Sequence, residues 1–169
     1  IALLRDVRER EILAKVTEGI PAPVITLTDG PLELYHEPRQ DKQFETQFQN
    51  YLKALDELAL NQVITAGYVD RPRADLVVRL IELLVPQTAE PAQARAFAGV
   101  PDRALFEAIL QPGERSAVFG LQSSSAQAYE GRKALHFFYI NCGSLNRPAM
   151  ARVEIPRWVA EDSSALDQL

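Results

Sequence analysis

Two β-branched runs, each followed by an amphipathic helical pattern, restrict this chain more than any other feature. "APVITLT" (22–28) precedes "ETQFQNYLKALDELAL" (45–60), and "VITAGYV" (63–69) precedes "ADLVVRLIELLV" (74–85). In the first helical pattern Phe48, Tyr51, Leu52, Leu55, Leu58 and Ala59 recur at the spacing of one helix face. Such a face must be buried, and a strand–helix–strand–helix order buries it against a sheet with at least two parallel strands. "APVITLT" is long enough to be a buried strand. A helix over Ile1 to Glu18, ended by Gly19, precedes it.

The second half reads differently. Residues 86–101, rich in Ala, Pro and Gln, read as a surface excursion, followed by a short helix "DRALFEAIL" with Asp102 as its N-cap. "SAVFGLQ", "KALHFFYINC" and "ARVEIPRWV" read as three strands, the last two an antiparallel hairpin. A capped helix is expected to begin at Ser163 or Ser164. The sum is a single α/β domain over residues 1–169, a mixed sheet flanked by helices. Lacking an initiator Met, and with a helix already under way at Ile1, the chain reads as an internal piece of a longer protein.

Cysteine and charge narrow the setting. Cys142 is the single cysteine, so an internal disulfide or Cys-based zinc cluster is excluded and a reducing, cytoplasmic location is expected. At the end of a strand it reads as a small buried hydrophobe. No apolar run reaches the roughly 20 residues that span a bilayer, so no membrane partner is expected. A net charge of −5 argues against a protein that coats nucleic acid. Local arginine clusters, Arg71, Arg73 and Arg79, then Arg147, Arg152 and Arg157, leave room for local phosphate contact. His36 and His136 read as structural, and Trp158 as core.

Among chemical motifs, phosphate-binding glycine loops, a Gly-x-Ser-x-Gly elbow and paired zinc histidines are absent from the sequence. Carboxylate chemistry remains. "VITLTDGPLELY" ends an apolar run in Asp29-Gly30, which suits either a hairpin turn or a carboxylate leaving the core at a strand end. Pro31 removes a ladder donor where a second hairpin strand would start. Two or three carboxylates at strand ends suit Mg²⁺ or Mn²⁺, and Glu9, Glu11 and Glu18 on the preceding helix are the available partners.

The combination "LRDVRERE", "VITLTDGPLEL", "ITAGYVDRPRADLVVRLIELL" and "MARVEIPRWVA" resembles the NurA family of DNA-repair nucleases across most of the chain. That resemblance implies an RNase H-like fold and a manganese-dependent deoxyribonuclease, with Mg²⁺ as a possible substitute. A five-prime to three-prime exonuclease with single-strand endonuclease activity is expected at DNA double-strand breaks. The implied partners are DNA, a HerA-type hexameric translocase and a second copy of the chain. Residue by residue, it makes Asp29 and Glu9 the metal-binding catalytic pair, with Arg5 orienting Glu9 and Gly30 supporting the turn. Arg71, Arg73 and Arg152 are candidate DNA contacts, and Glu154 shares the late-strand pattern with Arg152.

The chain departs from the family at several points. The family's upstream Asp-Gly-Ser strand and its C-terminal histidine have no counterpart here, Pro31 replaces a small residue, and "GYVDRP" (Tyr68, Asp70) stands where many members carry a Lys. The alternative is a non-catalytic relative serving as a binding or assembly module. A phosphatase using Asp29 as nucleophile ranks below both, because position 31 is Pro rather than a second aspartate.

Overall fold

A computed structural model describes residues 2–34, 42–84 and 97–169. The helix α1 (Ala2–Thr17) leads to β1 (Ile25–Asp29), α2 (Lys42–Leu60), β2 (Ile64–Asp70), α3 (Leu76–Leu84) and α4 (Asp102–Ile109). There follow β3 (Phe119–Gly120), two 3₁₀ turns, β4 (Leu135–Asn141), β5 (Met150–Pro156), and the short helices α5 (Arg157–Ala160) and α6 (Ser163–Leu166). The five strands form one mixed sheet in the order β1-β2-β5-β4-β3. β1 runs parallel to β2, with Asp29 opposite Tyr68, and β3 runs antiparallel to β4. The parallel pair is the one that the alternation of strands and helices requires.

Several local expectations change. β1 is an edge strand with one buried face: Thr26 and Thr28 point inward, while Ile25 and Leu27 are 43% and 61% exposed. Only Phe119 and Gly120 of "SAVFGLQ" are strand. β5 stops at Pro156, whose fixed φ suits the residue just before α5. Cys142 is exposed, because strand alternation buries Asn141 and turns its neighbour outward. The last capped helix is as expected: α6 begins at Ser163, and its cap Asp162 accepts hydrogen bonds from the Ser164 and Ala165 N–H groups. Of the expected excursion, residues 86–96 lie outside the described residues, as does His36.

The chain forms two compact units: Ile1–Tyr68 with Val118–Phe137 and Val153–Leu169, and Val69–Ala117 with Phe138–Arg152. In the first, α1 packs on α2, and Val7, Tyr51, Leu55, Leu58, Ile155 and Val159 are buried almost completely. Trp158 is half-buried there and donates through Nε1 to the Val63 carbonyl at 3.0 Å. Among the described residues no helix is long and apolar enough to cross a membrane.

The second unit is organised by Asp102. This carboxylate does not cap its own helix, whose N-cap is Pro101. It accepts instead from the Val77 and Val78 N–H groups at 3.1 and 2.8 Å, capping α3, and from the Tyr139 hydroxyl at 2.8 Å. The residue is fully buried, so three donors replace the water it has lost. Phe106 stacks on Tyr139 at 4.6 Å between ring centroids. Asp102→Ala should therefore lower stability by about 3 kcal/mol, and Tyr139→Phe by about 1 kcal/mol. A urea double-mutant cycle should return a double variant little worse than Asp102→Ala alone, since both changes remove one shared bond.

Candidate active site

β1 ends at Asp29 because Gly30, at φ 105°, turns the chain in a way a side chain resists. No second hairpin strand follows. Residues 31–34 cross toward β2 and are buried through Leu32 and Leu34, at 0% and 7% exposure. Gly67 makes room for this: a Cβ there would stand 2.7 Å from the Gly30 carbonyl oxygen and 2.8 Å from the Leu32 nitrogen.

A buried loop must satisfy its own backbone, and each bond here is identifiable. The Gly30 N–H donates to the Tyr68 carbonyl at 2.8 Å. Glu154 Oε2 accepts from the Leu32 and Glu33 N–H groups at 2.9 and 3.1 Å, and this carboxylate is wholly buried. Tyr51 Oη donates to the Leu32 carbonyl at 2.6 Å, and Tyr129 Oη donates to the same oxygen at 3.3 Å while accepting from the Leu34 N–H at 2.8 Å. The Glu33 side chain accepts from Ser123 and Ser125, which ties the serine-rich connection to the same loop.

Beside this loop lies a buried arginine that sequence reasoning passed over. Arg10 is 2% exposed. It donates through Nη1 to Glu9 Oε2 at 2.8 Å, and through Nη2 to Thr28 Oγ1 at 2.9 Å and the Pro31 carbonyl at 3.5 Å. Its guanidinium also lies over the Tyr51 ring at 5.8 Å. One guanidinium thus links Glu9 to residues on both sides of Asp29. The sequence signal was its place three residues after Val7 and four before Ala14, both buried on α1.

The expected site residues fall as follows. The Asp29 side chain is exposed and makes no hydrogen bond or ion pair with a described residue. Glu9 is held by Arg10, whereas Arg5 pairs with Asp6 at 3.2 Å, so the partner that orients Glu9 here is Arg10 rather than Arg5. Glu11 pairs with exposed Arg8. Glu154 fastens the loop from inside the core. Arg152 lies against Tyr139 in the second unit, and Arg71 and Arg73 are exposed. Along β1 the alternation puts Asp29 on the side of Ile25 and Leu27 and Thr28 on the side of Arg10. In kind, two carboxylate donors fit Mg²⁺ or Mn²⁺, which take one or two carboxylates and complete their shell with water and phosphate oxygens. Among the described residues no group of three or more His, Cys, Asp or Glu could hold a metal.

Two tests follow from this packing. Gly67→Ala should displace the 30–32 segment and lower stability by about 1–3 kcal/mol in urea unfolding. The second is alkaline. Burial pushes the Tyr51 hydroxyl from 10.0 up to about 12, against the opposing pull of Arg10, and burial raises Tyr129 as well. The unfolded chain releases the Tyr51 proton first, so the stabilisation is complete below pH 10 and is lost as pH rises toward 12. Over that interval stability should fall by about 1.4 kcal/mol per pH unit for this residue, and denaturant titrations of Tyr51→Phe should show a shallower decline.

No protein-family model, curated protein or solved structure matches this chain.

Proposed function

We propose that this chain is part of a metal-dependent DNA nuclease of the NurA kind, RNase H-like in fold and working in the cytoplasm as a homodimer beside a HerA-type translocase. The observation that carries the reading is the contrast at the end of β1. The strand end is fastened by Glu154, Tyr51, Tyr129 and Arg10, yet the Asp29 side chain is exposed and pairs with no described residue. Packing that fixes a carboxylate without occupying it prepares that group for a ligand.

In this reading Asp29 and Glu9 hold Mn²⁺ or Mg²⁺, and Arg10 positions Glu9. A metal so held supplies charge neutralisation on a phosphodiester and an acidified water. A second reading, a non-catalytic binding or assembly module, draws support from two observations. Among the described residues no group of three or more His, Cys, Asp or Glu gathers at this strand end, and the strand alternation assigns Asp29 to the face of Leu27, away from the Arg10 that holds Glu9.

The two readings separate in a digestion assay on the intact protein, using end-labelled linear single- and double-stranded DNA with Mn²⁺, Mg²⁺ or EDTA. Nuclease action should require metal and fall more than about 100-fold in Asp29→Asn, beyond what loss of a supporting contact to a metal ligand produces. The same variant should keep its stability within about 0.5 kcal/mol, because the Asp29 side chain pairs with no described residue. Undiminished DNA in every metal with a folded protein would leave the binding-module reading.

A further inference from the structure

We propose that a cavity in the first unit, at the end of the sheet remote from Asp29, binds a free α-amino acid with a small apolar side chain. It shares no residue with the nuclease reading and does not depend on it. The cavity, about 250 Å³, lies wholly within that unit, where β1 and β2 begin and where α5 and α6 follow β5. Drug-sized ligands need about 300 Å³ or more, so the occupant is small. The floor is apolar: Val63, Ile64, Val159 and Ala165 line it at 1%, 6%, 1% and 5% exposure. Trp158 adds a half-buried ring, held in one orientation by its bond to the Val63 carbonyl.

Two charged residues, Arg132 and Asp162, stand at the exposed rim. Arg132 donates through Nη2 to the Ala59 carbonyl at 3.2 Å and makes no ion pair with a described residue. Asp162 accepts from the Ser164 and Ala165 N–H groups through Oδ1, and its Oδ2 has no partner among the described residues. Cation and anion thus share one cavity, unpaired with each other, above apolar surface. A zwitterion with a short apolar group matches all three. Its carboxylate meets the Arg132 fork, its ammonium meets Asp162 Oδ2, and its side chain covers the floor and the Trp158 ring. A simple anion would leave Asp162 unmatched, and a simple cation would leave Arg132 unmatched.

The surrounding elements hold these groups in place. Arg132 lies in the 3₁₀ turn Gly131–Lys133, where Lys133 Nζ also pairs with Asp56 of α2 at 2.6 Å, so two side chains fasten the turn to that helix. The Ala59 carbonyl belongs to the last turn of α2, where a cation is favoured. Gln62, left-handed at φ 54°, ends α2 and delivers Val63 and Ile64 directly into the wall. Asp162 is fixed by the two N–H groups it caps. Both charges are therefore set before a ligand arrives, which lowers the ordering cost of binding.

Trp158 is the single tryptophan of the sequence, so its fluorescence reports on this cavity. Titration of the protein with L-leucine in EDTA, without DNA, should give a saturable change in emission and a matching rise in melting temperature. Neither metal nor DNA enters, so failure here and failure of the nuclease reading are separable. N-acetyl-L-leucine, which lacks the ammonium, and L-leucinamide, which lacks the carboxylate, should each bind about 5-fold or more weakly. Arg132→Gln should lose the preference for leucine over leucinamide. Asp162→Asn, which keeps a capping side chain, should lose the preference over N-acetyl-leucine. No saturable change up to the solubility limit of L-leucine would overturn the site. So would a blocked analogue that binds as tightly as L-leucine, or unchanged preferences in both variants.

Discussion

A carboxylate buried to 0% exposure is the constraint on which the first unit turns. Left alone in a core, Glu154 would be strongly destabilising; bonded to two adjacent backbone N–H groups, it becomes the anchor of the loop after β1. The dependence is mutual. Residues 31–34 form no strand, so Leu32 and Glu33 have no ladder to satisfy them. The tyrosines complete the arrangement from the opposite direction, supplying donors to the Leu32 carbonyl. Gly67 completes it by omission, since any side chain there would occupy the path of the loop. Position, shape and hydrogen bonding of the Asp29 end are thus set by residues distant in sequence.

That distance explains what could be read in advance. The parallel β1–β2 pair, the helix over α2, the end of β1 at Asp29 and the β4–β5 hairpin all follow from periodicity and turn chemistry within short windows. The part played by Glu154 could not be found that way, because its partners lie 122 and 121 residues away. Asp102 shows the same limit. It has the composition and place of a local N-cap, and it does cap a helix, but the helix is α3, 25 residues earlier. Arg10 was legible in principle, as a charge within a buried stripe, and was obscured by the more familiar Arg5–Glu9 spacing.

The two units use buried carboxylates alike. In each, an acidic side chain at full burial takes two consecutive backbone N–H groups, Leu32 and Glu33 in one and Val77 and Val78 in the other. In each, tyrosine hydroxyls complete the arrangement. Such sites gain specificity from geometry, since no apolar substitute can bond two N–H groups at once. The surface cations are treated differently. Several arginines meet carboxylates only loosely, so the acidic overall charge coexists with local regions that attract anions.

β1 closes one side of the sheet, and its outward residues include Ile25 and Leu27. An exposed apolar edge of this kind invites another strand to join it, the first step of aggregation. Three features work against that. The strand is five residues long, Asp29 places a charge at its end, and Pro31 withholds the next backbone donor. The Asp-Gly-Pro that positions the candidate site therefore also acts as a stop signal for sheet growth. Removing the Asp29 charge touches two properties at once: the chemistry of the strand end and the solubility of the chain that carries it.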